Sequence, residues 1–69
     1  LYADALPHLR QLAQLSPKDV AIQDGLGEAF EKTGNQGAAL GAYKRALELD
    51  PKNENIRFKF ALLLLQSGR

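Results

Sequence analysis

The side chains able to do chemistry are few and of common kinds. The chain holds one histidine, His8 beside Pro7, and no cysteine. A lone imidazole cannot build a zinc site, and no thiolate is present to complete one or to act as a nucleophile. His8 therefore reads as a surface or interface side chain. Asp24, Glu28 and Glu31 recur at i, i+4 and i+7, a spacing that lines one helix face with carboxylates. Paired carboxylates can serve as general acid and base, but solvated helices carry such pairs routinely. Two readings of this stripe stand. In the plainer one it is a solvated face, with Glu28 and Lys32 as an ordinary i,i+4 ion pair. In the other it is an acidic strip that draws a basic segment by charge complementarity. No Ser–His–Asp constellation and no glycine-rich phosphate cradle can be assembled. Lys44, Arg45 and Lys52 make a small basic cluster without the aromatics that base stacking needs, so nucleic-acid binding is not expected. The chemistry on offer is recognition by shape and charge, with no cofactor and no metal.

Composition narrows the setting. At 69 residues the chain is too short for two domains and has a thin margin for one core, and without cysteine no disulfide can staple it. Hydrophobic residues at 45% and charged residues at 25% describe a globular chain and not a disordered one. A net charge of +1 gives no general attraction to nucleic acid or to an acidic membrane surface. The longest apolar run, Ala61 to Leu65, is far short of a membrane span. The chain opens at Leu1 and not at Met, which raises the expectation of a longer parent protein.

The strongest organising signal is an internal repeat of 34 residues. At that offset Ala5/Ala39, Leu6/Leu40, Leu15/Leu49, Pro17/Pro51, Lys18/Lys52, Ile22/Ile56 and Gly34/Gly68 are identical. Other pairs keep their character: Leu26/Phe60, Gly27/Ala61, Phe30/Leu64, Leu9/Tyr43, Arg10/Lys44 and Thr33/Ser67. The matches fall on turn residues and apolar positions, where a repeated packing unit needs them.

Helices follow from the punctuation. Pro17 and Pro51 push the preceding residue out of the helical region. Asp19 and Asn53, two residues later, suit N-caps. Gly34 and Gly68 suit the left-handed position after a helix. These signals predict helices at about 4–15, 20–33, 37–49 and 54–67. Leu6, Leu9, Leu12, Ala13 and Leu15 share one helical face, as do Ile22, Leu26, Ala29 and Phe30, and Ala39, Leu40, Tyr43, Ala46 and Leu47. Pro7 fits if Asp4 caps the first helix, because first-turn N–H groups have no intrahelical partner. No β alternation competes. Gly25, Gly37 and Gly41 each cost a helix about 1 kcal/mol relative to alanine. Gly37 suits a helix start, Gly41 suits a close helix approach, and Gly25 has no sequence rationale.

These residues resemble the tetratricopeptide repeat (TPR) family, whose pattern is W-x2-L-G-x2-Y, A-x3-F, A and P. Here it reads Gln23-x2-Leu26-Gly27-x2-Phe30, Ala39-x3-Tyr43, Ala46 and Pro51, with Gln23 the departure where an aromatic is typical. The resemblance implies an all-α fold of antiparallel helix-turn-helix units stacked as a right-handed α-solenoid. It divides the chain into a second helix (1–19), one complete repeat (20–53) and a following first helix (54–69). Small residues agree with that packing: Gly27 and Ala39 where two antiparallel helices approach, and Ala46 where the second helix meets the next first helix.

The resemblance implies a non-catalytic protein-protein interaction module. First helices would line a concave face that receives a peptide or protein. The face residues are then Asp24, Glu28 and Glu31 on one first helix, and Asn55, Phe58, Lys59 and Leu62 on the next. The second group reads equally as a groove wall or as a surface covered by more of the parent protein. Some family members grip a C-terminal carboxylate with basic residues and asparagine on successive first helices. Glu28 and Leu62 stand where asparagine would be, so that clamp is not expected. Neither end of the chain presents a polar face, which leads to an expectation of self-association head to tail through complementary open ends. The alternative roles are a structural or self-assembly segment of a larger multi-domain or secretion-machinery protein, and an accessory domain of an enzyme whose catalytic part lies elsewhere.

Overall fold

In a computed structural model, described over residues 1–68, the chain forms four helices: α1 (Tyr2–Leu15), α2 (Val20–Lys32), α3 (Gln36–Leu49) and α4 (Glu54–Gly68). Each lies within two residues of the range read from the sequence. Each packs on its neighbour in the chain, α1 on α2, α2 on α3 and α3 on α4, with the α2–α3 contact the most extensive. The result is an all-α array of antiparallel helix-turn-helix units in a slab of 32 × 26 × 15 Å.

The repeat is visible in the backbone of its turns. Ser16 and Asp50, each ahead of a proline, take nearly the same dihedrals, φ −135°, ψ 70° and φ −140°, ψ 77°. Each closes its helix, with its N–H donating to the carbonyl of Leu12 (2.8 Å) or Ala46 (2.9 Å). Each carbonyl then accepts from the residue three ahead, the N–H of Asp19 or Asn53, both at 3.1 Å. Proline at the second position of such a turn supplies its φ in advance. Asp19 and Asn53 then act as caps. The Asp19 carboxylate accepts from the N–H of Ala21 (3.0 Å) and Ile22 (3.4 Å), and the Asn53 side chain accepts from Ile56 N–H (3.0 Å).

The α2–α3 turn is built differently. Gly34 takes φ +88°. Asn35 N–H donates to the Phe30 carbonyl (2.8 Å) and Gly34 N–H to the Glu31 carbonyl (3.2 Å), the paired reverse bonds of a Schellman ending. Asn35 caps α3 through Ala38 N–H at 3.1 Å.

Several sequence expectations change. The first helix begins at Tyr2 with Leu1 at its cap position and no side-chain cap bond. Asp4 therefore lies inside the first turn and Pro7 inside the helix. Pro7 cannot donate to the carbonyl four residues back, so the start of α1 is held less firmly than its middle. Gly68 ends α4 without a positive φ; Gly34 is the positive-φ glycine among the described residues. Gly41 faces open space and permits no close approach, whereas Gly25 lies under Leu9, 3.5 Å from where a Cβ would stand. The ion pairs among the described residues are Arg45–Glu48 and Lys59–Asp24, and Glu28–Lys32 is not one of them.

The core gathers at the middle of the array. Leu26, Phe30, Ala39, Ala42, Tyr43, Ala46, Ile56 and Leu63 form one buried cluster, against which Leu6, Leu9, Ala13, Val20, Leu47 and Phe60 pack partly buried. Burying a side chain as large as Tyr43 or Leu63 contributes on the order of 1.5–3 kcal/mol. Leu15, placed by spacing on the inner face of α1, is exposed instead.

Candidate functional site

Helices α2 and α4 are tied across their shared face by one ion pair. Lys59 Nζ of α4 donates to both carboxylate oxygens of Asp24 on α2, at 3.0 and 3.3 Å. Both side chains are more than two-thirds shielded from solvent, so this pair is less screened than a surface one. The acidic stripe is thereby divided. Asp24 is engaged by Lys59. Glu31 accepts from the Tyr43 hydroxyl at 3.1 Å. Glu28, half-buried between them, makes neither a hydrogen bond nor an ion pair among the described residues. Asn55, Phe58 and Leu62 project from α4 as exposed side chains, Phe58 at 65% and Leu62 at 42%.

Tyr43 lies beneath this face. It is wholly buried, and its ring packs against Gly27. Burial pushes its phenol well above the ordinary tyrosine value, and the charge of Glu31 and the hydrogen bond to it act in the same direction. The hydroxyl is thus held protonated as a donor, and Glu31 is committed to it. The packing residues Leu26, Gly27, Phe30, Ala39, Tyr43 and Ala46 are buried, and Pro51 is exposed in its turn. Arg10 of α1 stands 5.2 Å from the centroid of the Phe30 ring, a cation–π contact at the outer edge of α2.

The spacing of single residues gave no sign of the Asp24–Lys59 pair. The repeat could have given one, because Lys59 is the 34-residue counterpart of Gly25, the neighbour of Asp24. Two shallow apolar depressions also open on the array. One, on α4, is lined by Ala61, Leu64, Leu65 and Gly68; the other, at the start of α1, by Leu1, Tyr2 and Ala5. Among the described residues no group of three or more His, Cys, Asp or Glu could hold a metal. No helix among them is long and apolar enough to cross a membrane.

Comparison with known proteins agrees with this geometry. Residues 32–68, just over half of the chain, match the family model described as TPR repeat. Superkiller protein 3 of Schizosaccharomyces pombe is 37% identical over 64 residues, covering 93% of this chain and 5% of that protein. Anaphase-promoting complex subunit 3 of Dictyostelium discoideum is 35% identical over 54 residues, covering 78% of this chain and 6% of that protein. The chain thus spans about one-twentieth of the length of these curated relatives. No solved structure matches it significantly. Pattern, four-helix array and sequence matches converge: this chain belongs to the tetratricopeptide repeat family, whose helical arrays serve protein-protein interaction and scaffolding.

Proposed function

We propose that the chain presents the face shared by α2 and α4 to a protein segment carrying basic and apolar side chains. The contacting residues are Asp24, Glu28 and Glu31 on α2 with Asn55, Phe58, Lys59 and Leu62 on α4. On this reading 20–53 is one complete repeat, flanked by the second helix of another (1–19) and the first helix of a third (54–69). The observation that carries the proposal is Glu28. It is a carboxylate without a partner among the described residues, set between two others that are already engaged, and exposed Phe58 and Leu62 lie on the neighbouring helix. A lysine or arginine meeting Glu28 gains charge complementarity, and an apolar neighbour on the same segment covers Phe58. Asp24 and Lys59, tied to each other, hold the two helices at fixed spacing.

The test is titration of a fluorescent Lys/Phe-containing peptide and of its Glu/Phe counterpart, monitored by anisotropy. The basic peptide should bind more tightly, with affinity falling as salt rises, and Glu28→Lys should abolish the preference. Equal binding of both peptides, or no effect of Glu28→Lys, removes the stripe from the site.

A second reading is assembly. Leu1, Leu64 and Leu65 are exposed at 100%, 45% and 75%, so α1 and α4 carry apolar surface at opposite sides of the array. Association of copies head to tail would cover it. One relative is, by its printed name, a subunit of a complex, which supports a scaffold role in a larger assembly.

A further inference from the structure

The face shared by α2 and α4 carries one cation among its carboxylates, and that cation sets what a partner can gain there. At the 34-residue offset Asp24, Glu28 and Glu31 of α2 become Phe58, Leu62 and Leu65 of α4. The face therefore passes from three carboxylates to three apolar side chains within one repeat. Lys59 stands at that boundary, in the place that Gly25 holds on α2. Its Nζ reaches back to α2 and donates to both oxygens of Asp24, at 3.0 and 3.3 Å. The chain thus seats a primary ammonium of its own on the acidic stripe.

The seat it takes matters for the one left open. Glu31 accepts from the Tyr43 hydroxyl. Glu28 has no partner among the described residues. Asp24 and Glu28 are one helical turn apart, with Cβ atoms about 5–6 Å from each other. Side chains two residues apart on one side of an extended segment are about 6.5 Å apart. An extended segment with basic residues at alternate positions would therefore match Asp24 and Glu28 together, were both free. Lys59 prevents that. A second cation arriving at Asp24 meets a carboxylate already neutralised and an ammonium a few ångströms away, which repels it. Expelling Lys59 instead would strand its ammonium, more than two-thirds shielded from water, without an anion.

We propose that Lys59 is a specificity-determining residue of this face: by occupying Asp24 it limits the acidic stripe to one basic side chain, received at Glu28. The partner is then an extended segment with a single lysine or arginine beside apolar residues, and a second basic residue at the alternate position brings no advantage. This rests on the Glu28 reading and deepens it.

Anisotropy titrations at low salt test it, with circular dichroism to confirm helicity. Three fluorescent Phe-containing peptides differ only at two alternate positions, which hold Gln and Gln, Lys and Gln, or Lys and Lys. The parent chain should bind the one-lysine peptide about three- to fivefold more tightly than the neutral one, the range of partly exposed ion pairs. The second lysine should add no more than about twofold, the statistical advantage of two lysines competing for one seat. In Lys59→Met, or in Lys59→Gln, Asp24 is free and the second lysine should add about three- to fivefold. Adding Asp24→Asn to either variant should erase that gain. Lys44→Met removes the same charge from an exposed site on α3 and should leave the second lysine without effect. A parent chain that already gains threefold or more from the second lysine overturns the proposal without recourse to any variant. So does a second-lysine gain that Lys59→Met and Lys59→Gln fail to produce, or that Lys44→Met produces equally; in these cases preference for the one-lysine peptide leaves the Glu28 reading standing. A parent chain that binds the neutral and one-lysine peptides equally overturns both.

Discussion

A Cβ placed on Gly27 would stand 2.6 Å from Cε1 of Tyr43 and 2.7 Å from its Cδ1, inside the distance any carbon pair tolerates. The glycine in α2 and the tyrosine in α3 are one feature in two residues: the missing side chain makes the slot that the ring fills. Gly27→Ala gains about 1 kcal/mol of helix propensity but forces a buried ring to move, at about 1–3 kcal/mol. The expected net loss in urea unfolding is about 0–2 kcal/mol. In a Tyr43→Leu background the same change should cost at least about 1 kcal/mol less, a coupling that a double-mutant cycle measures. Additive effects would mean that the two residues do not share a slot.

Two other glycines, one helical and one in a turn, differ by their surroundings. Gly41 has nothing within 4 Å of a would-be Cβ, so Gly41→Ala should stabilise by about 1 kcal/mol. Gly34 has equally open space but φ +88°, and Gly34→Ala should destabilise by about 1 kcal/mol through backbone strain alone. Thermal melts of the two variants should shift in opposite directions.

Alkaline stability should depend on Tyr43. Its phenol is raised in the folded chain and ordinary, near 10, in the unfolded one. Above about pH 10 the unfolded chain has released this proton and the folded chain has not, so stability falls as pH rises from there toward the folded value. Below pH 10 this contribution is fully present. Tyr43→Phe should remove that component of the slope. It should also cost about 1–2 kcal/mol at neutral pH through loss of the charge-assisted bond to Glu31. Parallel urea melts from pH 8 to pH 11 compare the two proteins; identical slopes would show that burial of the hydroxyl is not what raises it.

Pro7 offers a check on where α1 starts. If the helix runs from Tyr2, as in the structure, Pro7→Ala restores a hydrogen bond and should raise stability by about 1–3 kcal/mol. A helix beginning at an Asp4 cap would place the proline in its first turn, and the substitution would then be close to neutral.

Much of this architecture was legible in the sequence because its signals are local and occur twice. The Ser16–Asp19 and Asp50–Asn53 turns each announce themselves through a proline and a capping side chain, and the 34-residue offset confirms one by the other. The small residues Gly27, Ala39 and Ala46 marked the close helix contacts for the same reason. What escaped depended on relations between distant parts. The start of α1 carries no cap to read. Gly41 looks like Gly27 in sequence, and only the neighbouring helix tells them apart. In α4 the unbroken run Ala61–Leu65 hides its inner face, since Leu63 is buried while Leu62, Leu64 and Leu65 are not. The Asp24–Lys59 tie joins residues brought together by stacking, which spacing along a single helix cannot show.

Packing mainly between successive rods, with Lys59 of α4 also tied to Asp24 of α2, has a consequence for how the molecule comes apart. A rod at either margin is gripped on one flank and the two inner rods on both, so loosening should travel inward from the margins instead of striking everywhere at once. Amide protons of α1 and α4 should exchange with deuterium well before those of α2 and α3, and anything that grips a margin should slow the whole sequence of events.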